Sequence, residues 1–251
     1  MTTNRQYRLS FTAASRHPKR LVLALFASIL CSSQLPTLAV DEFGWPEFRL
    51  KNGETYCAGK AFAVRWYKGR TLLVMPLHLL SPEAGCSHYV RPEDITRELE
   101  TLKILDLQRQ STLATAGKYL MKTGATAGQN TGDLSADLMA FELPTSSRLT
   151  PFSLFYGQAP VGTKVTVLSK FEDSSSQPTR YTGIISSSKP TGLVVNMDSP
   201  VTALSSSGSP VVNAKNELVG MMVGKRDDER KVIMAIPSSS MIRRMYAEIG
   251  Q

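Results

Sequence analysis

The first 40 residues contain no acidic residue, although the chain of 251 residues contains 21. The formal charge of +8 is therefore concentrated at the start of the chain, since residues 41–251 carry 24 basic and 21 acidic side chains. Binding to a phosphate backbone requires basic residues clustered on the folded part of a protein. The near balance of residues 41–251 argues against it, and we expect no nucleic-acid partner.

Long hydrophobic runs are also missing. The longest mostly apolar run covers residues 21–30, too short for the roughly 20 residues that cross a bilayer as a helix. It follows a basic stretch ending at Arg20 and precedes Thr-Leu-Ala at residues 37–39, a small-x-small-like cleavage sequence. This layout predicts a signal peptide over residues 1–40 and a secreted or periplasmic mature chain without a membrane span. An uncleaved N-terminal anchor is the alternative, because residues 21–40 can be stretched into a poor span.

Cysteine is scarce, with three in the chain. Removal of the leader takes Cys31 and leaves Cys57 and Cys86, an even number in an oxidising compartment. We therefore expect these two cysteines to form a disulfide. Two buried thiols are the alternative, because sequence spacing does not show whether the Cα atoms come within disulfide distance.

The sequence has no βαβ pattern, no internal repeat and no long disordered tract. Its 42% apolar and 20% charged residues are typical of one ordinary globular unit. From residue 55 onward, short β-type runs alternate with joints rich in Gly, Pro, Asn and Ser, which indicates an all-β barrel or sandwich. The predicted strands cover residues 61–67, 71–77, 102–107, 119–122, 138–143, 164–171, 181–186, 192–197, 210–213, 218–223 and 231–236.

Two helices are predicted. The first runs from Arg91 to Leu99 and has acidic residues in its first turn. The second begins at the serine triplet 238–240, which is typical of a helix cap, and ends near Gly250. Between the two sets of strands, residues 143–161 contain three prolines, and we interpret them as the crossing between two β halves.

One of the four serine triplets, residues 205–207, has a distinctive context. Gly208, Ser209 and Pro210 follow it, and the chain then continues through a hairpin to Val-Gly-Met at residues 219–221. This segment resembles the trypsin-like serine proteases of the chymotrypsin fold, whose nucleophile lies in a Gly-Asp/Asn-Ser-Gly-Gly/Ser-Pro turn before such a hairpin. The resemblance gives Ser207 the position of the nucleophile.

A serine nucleophile needs a base within hydrogen-bond reach, and the base needs a third group to orient it. His78 follows the apolar run 72–77, which is similar to the family's strand-then-histidine segment. Asp137 begins Asp-Leu-Met-Ala-Phe, which resembles the family's Asp-Leu-Ala-Leu-Leu strand entry. The chain order His78, Asp137, Ser207 is that of chymotrypsin and not that of the subtilisins or the α/β-hydrolases.

The resemblance covers roughly residues 52–248 and implies a fold and an activity. The implied fold is all-β, with two six-stranded Greek-key β-barrels of the chymotrypsin type and a C-terminal helix. Residues 41–150 would form the barrel that carries His78 and Asp137, and residues 151–251 the barrel that carries Ser207. The implied activity is that of an exported serine endopeptidase, a hydrolase that cleaves polypeptides through an acyl-enzyme. The cysteine pair adds to the likeness, because it brackets the histidine as the family's histidine-loop disulfide does.

The sequence also departs from the family pattern. The family's oxyanion hole uses the amides at the positions of Ser205 and Ser207, and the first of these is usually Gly. The Thr-Ala-Ala that precedes the family's histidine is Met-Pro-Leu here, at residues 75–77. These differences define the alternative function, a catalytically inactive protein that uses the protease fold as a binding module.

Specificity is predicted from the residues that would flank the substrate pocket. Val201 lies six residues before the nucleophile, where the trypsin branch has the Asp that selects Lys or Arg, and Met222, Val223 and Gly224 form the flanking strand. These four residues predict a small or apolar P1 side chain. An acidic P1 is the alternative, because two basic residues, Lys225 and Arg226, follow the strand.

Other site types were weighed against this interpretation. A Cys2His2 zinc site made of Cys57, His78, Cys86 and His88 lacks the short Cys-x2–4-Cys spacing of structural sites, and no Gly-x-Ser-x-Gly elbow is present. We therefore expect no metal and no other cofactor, and find no acidic loop suited to calcium. The chain resembles the protease core of Deg-type exported proteases without their PDZ domains, which favours a self-contained monomer.

Overall fold

The computed structural model describes residues 41–122, 133–170, 179–201, 205–225 and 231–250. The predicted signal peptide and Arg226 lie outside these residues. Within them the chain forms thirteen strands and two α-helices. None of the described helices combines the length and the apolar character that crossing a membrane requires.

Seven strands form the first sheet, and every pair in it is antiparallel. The order across it is β6-β5-β1-β3-β4-β7, with β2 paired to β1. The central strand β1 is thus bonded to neighbours that come before and after the His78 turn in sequence. The strands are β1 Phe43–Leu50, β2 Thr55–Cys57, β3 Ala61–Arg65, β4 Thr71–Met75, β5 Leu99–Leu105, β6 Thr112–Thr115 and β7 Met139–Glu142.

This first sheet curls without closing into the six-stranded barrel that was expected. Its two edges are joined by irregular backbone hydrogen bonds instead: Gly117 N donates to Glu142 O (2.8 Å), and Glu142 N donates to Lys118 O (2.9 Å). The predicted strand 119–122 is reduced to a single bridge between Tyr119 and Phe141. A Cβ on Gly117 would lie 3.0 Å from the Glu142 Cβ, so a side chain at this crossing would fit only if Glu142 moved by a few tenths of an ångström.

The second sheet is a closed barrel of six strands in the order β10-β13-β12-β11-β8-β9. It confirms the all-β prediction and the expected second barrel. Its strands are β8 Lys164–Ser169, β9 Thr179–Lys189, β10 Gly192–Met197, β11 Pro210–Val212, β12 Leu218–Lys225 and β13 Val232–Pro237.

The apolar runs of β3 and β4 are buried on both faces. Ala61 and Ala63 of β3 pack inside the first sheet, whereas Phe62 and Val64 pack in a second cluster that also contains side chains of the closed barrel. Because successive side chains of a strand point to opposite faces, a continuous apolar run is what such a strand needs. These strands therefore join the two sheets through an apolar interface.

Helix α2, Ser238–Ile249, lies at the end of the described chain, as predicted, and ends at Gly250 with a φ of +74°. Its serines do not cap it, because its N-cap is Pro237. The Ser238 hydroxyl donates to Phe155 O (2.6 Å), and the Ser240 hydroxyl donates to Pro190 O (2.5 Å). The serines thus fix the helix to two loops of the barrel.

The predicted helix 91–99 is shorter than expected. A 3-10 turn covers Pro92–Asp94, and α1 covers only Ile95–Glu98. Leu99 already belongs to β5, because pairing with β1 ends the helix there.

The expected disulfide is absent, since neither Cys57 nor Cys86 is disulfide-bonded. Cys86 is buried in the same cluster against which Tyr56 packs, and Tyr56 immediately precedes Cys57 on β2. Neighbouring residues of a strand point to opposite faces. The face that meets Cys86 is therefore occupied by Tyr56, and Cys57 is directed the other way.

Candidate active site

His78 lies just after β4, in a single 3-10 turn formed by Leu77–Leu80. The three leucines of this turn are buried, while the side chain of His78 remains 21% exposed. Pro76 precedes the turn in an extended conformation and is its N-cap. The Met-Pro-Leu sequence at residues 75–77, which departs from the family pattern, thus ends β4. It leaves the imidazole of His78 at the edge of the buried core.

Asp137 holds His78 by two hydrogen bonds. Its Oδ1 accepts from the backbone N–H of His78 (2.8 Å), and its Oδ2 lies 2.5 Å from His78 Nδ1. A carboxylate at Nδ1 favours the tautomer with the proton on that nitrogen, which leaves Nε2 free to accept a proton. The pair therefore has the geometry of a base and its orienting acid.

The segment before Asp137 is itself fixed. A 3-10 turn covers Leu134–Ala136, and the Asp133 carboxylate accepts from Ser135 N (3.0 Å) at its start. Ser135 is buried and Leu138 follows in the core. Asp137 thus lies between a capped turn and the strand β7.

The turn Ser205–Gly208 carries Ser207 and has two residues with a positive φ, of which only Ser205 is strained. Ser205 has a φ of +59° and Gly208 a φ of +87°. A Cβ on Gly208 would lie 2.0 Å from Lys60 O, so glycine is required there by both conformation and space. The left-handed conformation of Ser205 is the one that favours the glycine found in the family.

Lys60, which precedes β3, forms two hydrogen bonds with this turn. Its Nζ donates to Ser205 O (2.7 Å), and its backbone N–H donates to Ser207 O (2.7 Å). The residue is fully buried, with Nζ 3.2 Å from the centre of the Trp45 ring. Sequence analysis missed Lys60; its signal was a lysine at the head of the buried run 61–64.

The Ser207 hydroxyl donates to Val223 O over 3.4 Å, a long and therefore weak hydrogen bond. Among the described residues no hydrogen bond joins this hydroxyl to His78. The two turns are nevertheless neighbours through Gly59: a Cβ there would lie 2.6 Å from a Leu79 methyl carbon and 2.7 Å from Ser207 O. Catalytic hydrogen bonds are often long or misaligned before a substrate binds.

The predicted pocket residues fall into two groups. Val201 and Met222 are buried in the apolar core of the closed barrel, so their side chains fill the barrel. Val223 and Gly224 are partly exposed on β12, as is Lys225. The backbone of Met222 fixes the turn, because Met222 O accepts from Gly208 N (2.7 Å) and Met222 N donates to Ser209 O (2.9 Å).

No protein-family model matches the chain, and no curated protein does at the level of sequence. The three-dimensional structure, in contrast, is similar to solved serine proteases. A thermostable serine protease, AL20, from an extremophilic microorganism aligns with a TM-score of 0.57 and 14% identity over 84% of this chain and 99% of its own. The active form of the Rv3671c protease from M. tuberculosis aligns with a TM-score of 0.55 and 14% identity over 84% and 82% of the two chains. Its inactive form gives 0.53 and 13% over 85% and 91%.

The fold is the chymotrypsin fold. At 12–14% identity the likeness concerns the architecture alone. Within this chymotrypsin fold, the His78 and Asp137 turns belong to the first sheet, and the Ser207 turn precedes β11 of the closed barrel. Both sheets therefore contribute to the candidate site: the first carries His78 and Asp137, and the closed barrel carries Ser207.

A cluster with metal-ligating side chains lies outside these three turns. The ligand atoms of Glu54, Cys86 and His88 are all within 4.8 Å of one another. Two of them already have partners, since Glu54 accepts from Ser87 N (2.7 Å) and His88 Nε2 lies 2.7 Å from Glu98 Oε2. Cys86 and His88 were members of the zinc set rejected above, and the other two members are not part of this cluster.

Proposed function

We propose that this protein is an exported serine endopeptidase that hydrolyses peptide bonds through an acyl-enzyme. The observation that supports this most strongly is the pair of hydrogen bonds from His78 to the Asp137 carboxylate, beside a strained turn that carries Ser207. A histidine held through its backbone and Nδ1 by one carboxylate is what nucleophilic serine chemistry needs.

The reaction proceeds in two steps. Ser207 Oγ attacks the scissile carbonyl while its proton passes to His78 Nε2, and the imidazolium then returns that proton to the leaving amine. Water deprotonated by His78 attacks the resulting ester, the Ser207 oxygen leaves with the proton, and the free carboxylic acid is released. Asp137 remains ionised throughout and stabilises the imidazolium. These steps need no metal and no other cofactor.

The amides of Ser205 and Ser207 are the proposed oxyanion hole. Three carbonyls of the turn are directed into the protein: Ser205 O and Ser207 O bond to Lys60, and Ser206 O accepts from Ser209 N (3.1 Å). Because the N–H of a trans peptide points opposite to its carbonyl, the Ser207 amide is turned away from these internal donors. A preorganised donor of this kind stabilises the charge that develops on the substrate oxygen.

A polypeptide substrate is proposed to bind along β12. In the described ladders β11 pairs with β12 only as far as Met221, whereas β13 accompanies β12 to Lys225. The edge at Val223 and Gly224 is thus available for an added strand, and peptides commonly bind to such edges. The contact of Ser207 Oγ with Val223 O indicates that this edge begins beside the nucleophile. We retain a preference for small or apolar P1 residues as part of this proposal.

The basic leader and its apolar run support export of the proposed enzyme to the periplasm or the medium. N-terminal sequencing of protein recovered outside the cytoplasm tests this part, and we expect it to start near residue 40. A mature protein that retains residues 1–39 and sediments with membranes would support the anchor instead.

Labelling with a fluorophosphonate probe tests the catalytic proposal, because the probe reacts with an activated serine whatever the natural substrate is. The purified protein is expected to label, and Ser207→Ala and His78→Ala are expected not to. Ser186→Ala, which changes an exposed serine of another triplet, is the matched control and should label normally. A folded protein that fails to label would favour the inactive binding module.

A further inference from the structure

We propose that Lys60 is a positioning residue for the oxyanion hole: its buried ammonium holds the Ser205 carbonyl and thereby keeps Ser205 in a left-handed conformation. This inference rests on the proposed function, since the turn is useful as an oxyanion hole only in a serine hydrolase. It adds a residue that lies outside the proposed triad and outside both proposed oxyanion donors.

The contacts of Lys60 are concentrated on the turn. The side chain reaches Ser205 O and the backbone N–H reaches Ser207 O, both over 2.7 Å. Lys60 O lies so close to Gly208 that a Cβ there would approach it to 2.0 Å. One residue, immediately before β3, therefore contacts three of the four residues of the turn that precedes β11.

The conformation of Ser205 explains why the hydrogen bond from Lys60 is needed. A φ of +59° is unfavourable for any residue with a Cβ, and strained residues persist only where their surroundings hold them. Glycine adopts this conformation at no steric cost. A charged donor at Ser205 O forms a stronger hydrogen bond than a neutral one, and it opposes rotation of the peptide out of the strained state.

The burial of Lys60 supports a role other than stability. Its relative exposure is 0%, and placing an ammonium group away from water is unfavourable unless hydrogen bonds compensate it. The Trp45 ring, 3.2 Å from Nζ, contributes a cation–π contact. Because the desolvation cost of a buried charge offsets much of what its contacts contribute, the burial of Lys60 is weak evidence that it stabilises the fold. The lysine is therefore better explained by its hydrogen bond to the Ser205 carbonyl than by a contribution to stability.

The first experiment compares Lys60→Met with Lys103→Met, which removes an exposed lysine of β5 in the same sheet. We expect Lys60→Met to fold and to lower kcat about 100-fold, the effect of losing an oxyanion donor, with KM changed less than about threefold. Lys60→Gln keeps a neutral donor, and its kcat should lie between those of Lys60→Met and the parent protein. Lys103→Met should match the parent within about twofold. Unchanged kcat in Lys60→Met would overturn the proposal.

The second experiment is a rescue. If Lys60 compensates for the strain of Ser205, then Ser205→Gly should restore kcat about 10-fold or more in the Lys60→Met background, because glycine removes the strain. Ser205→Ala is the matched control; it retains the Cβ and should not rescue. Equal kcat in the Gly and Ala double variants would overturn the proposal, as would loss of folding in both Lys60→Met and Lys60→Gln, which would assign Lys60 to stability alone.

A third measurement separates this proposal from the proposed function. Urea unfolding of the parent, the two single variants and the double variant gives the coupling between Lys60→Met and Ser205→Gly without any activity. We expect the combined change in the unfolding equilibrium constant to differ about fivefold or more from the product of the single changes. If this coupling is present but the parent protein does not label, the proposed enzymatic function is refuted and the structural role of Lys60 is retained. If the protein labels but the coupling is absent, only the proposed role of Lys60 is refuted.

Discussion

The two parts of the candidate site are built in different ways. The His78–Asp137 pair is joined by two direct hydrogen bonds between neighbouring turns of one sheet. The Ser207 turn is held from the other sheet as well as its own, by Lys60 and by the backbone of Met222, and its hydroxyl donates to Val223. The candidate base, His78, is therefore positioned by local contacts, whereas the position of the candidate nucleophile, Ser207, depends on how the two sheets meet.

This contrast suggests where each part is vulnerable. Changes in the first part should alter chemistry without altering the fold, because the two side chains are partly exposed. Changes in the turn should affect both chemistry and stability, because three of its four residues contact Lys60.

Removal of the nucleophile should have the largest effect. Ser207→Ala is expected to lower kcat by about 10⁵-fold to 10⁶-fold, since no other group can form the acyl-enzyme. Its urea midpoint should remain close to that of the parent protein, because the lost hydrogen bond is long. Turnover of a peptide library by Ser207→Ala at more than about 1% of the parent rate would show that another residue is the nucleophile.

The orienting acid should have the next largest effect. Asp137→Asn is expected to lower kcat about 10⁴-fold with little change in KM, because the amide can donate to Nδ1 and stabilise the wrong tautomer. Steady-state kinetics with the best library peptide measures both constants. A decrease below about tenfold would mean that the two hydrogen bonds to His78 are structural.

Gly208→Ala tests the turn. We expect it to destabilise the protein by about 3 kcal/mol, because the new Cβ meets the Lys60 carbonyl in addition to the cost of a positive φ. Gly53→Ala is the control: Gly53 has a φ of +90° and no atom within 4 Å of the added Cβ, so it should cost only about 1 kcal/mol. Equal unfolding free energies for the two variants would show that the turn has room to move away from Lys60.

The smallest expected effect is the pH-dependent contribution of Asp106, which follows β5, to the free energy of unfolding. Burial alone would raise the pKa of Asp106, but hydrogen bonds from Ser111 and from the backbone of Gln108 and Gln110 lower this pKa below its ordinary value. A lowered pKa in the folded state contributes stability at neutral pH that is lost as the pH falls below about 4. Asp106→Asn should therefore reduce the difference in unfolding free energy between pH 7 and pH 3 by less than about 1 kcal/mol. An increased difference would contradict this assignment.

Much of the fold was predictable because most strands are short apolar runs bounded by turn residues. The strand β1 was not predicted, since Pro46, Glu47 and Arg49 interrupt its pattern. Its residues nevertheless form the centre of the first sheet, where pairing with β3 and β5 overrides the weak local preference. The strand β6 was missed for a related reason, since it has only four residues, with exposed threonines on either side of buried Leu113 and Ala114.

The candidate site shows the same difference between features set by local sequence and features set by distant contacts. His78 and Asp137 could be recognised from local patterns, and the structure brings them into hydrogen-bond contact. The contact of Lys60 with Ser205 joins residues 145 positions apart, and no local pattern reports such a contact. The absence of a disulfide between Cys57 and Cys86 likewise depends on which face of β2 each thiol meets, which spacing does not reveal.

The grip of Lys60 on the Ser205–Gly208 turn also bears on when during synthesis the site can form. Lys60 is synthesised early and the turn that it holds is synthesised late, because the two ends of the hydrogen bond are 145 positions apart. In the proposed enzyme, a partly synthesised chain therefore has the candidate base and its acid but no organised nucleophile. We expect the proposed activity to arise only once the second barrel has closed against the first sheet.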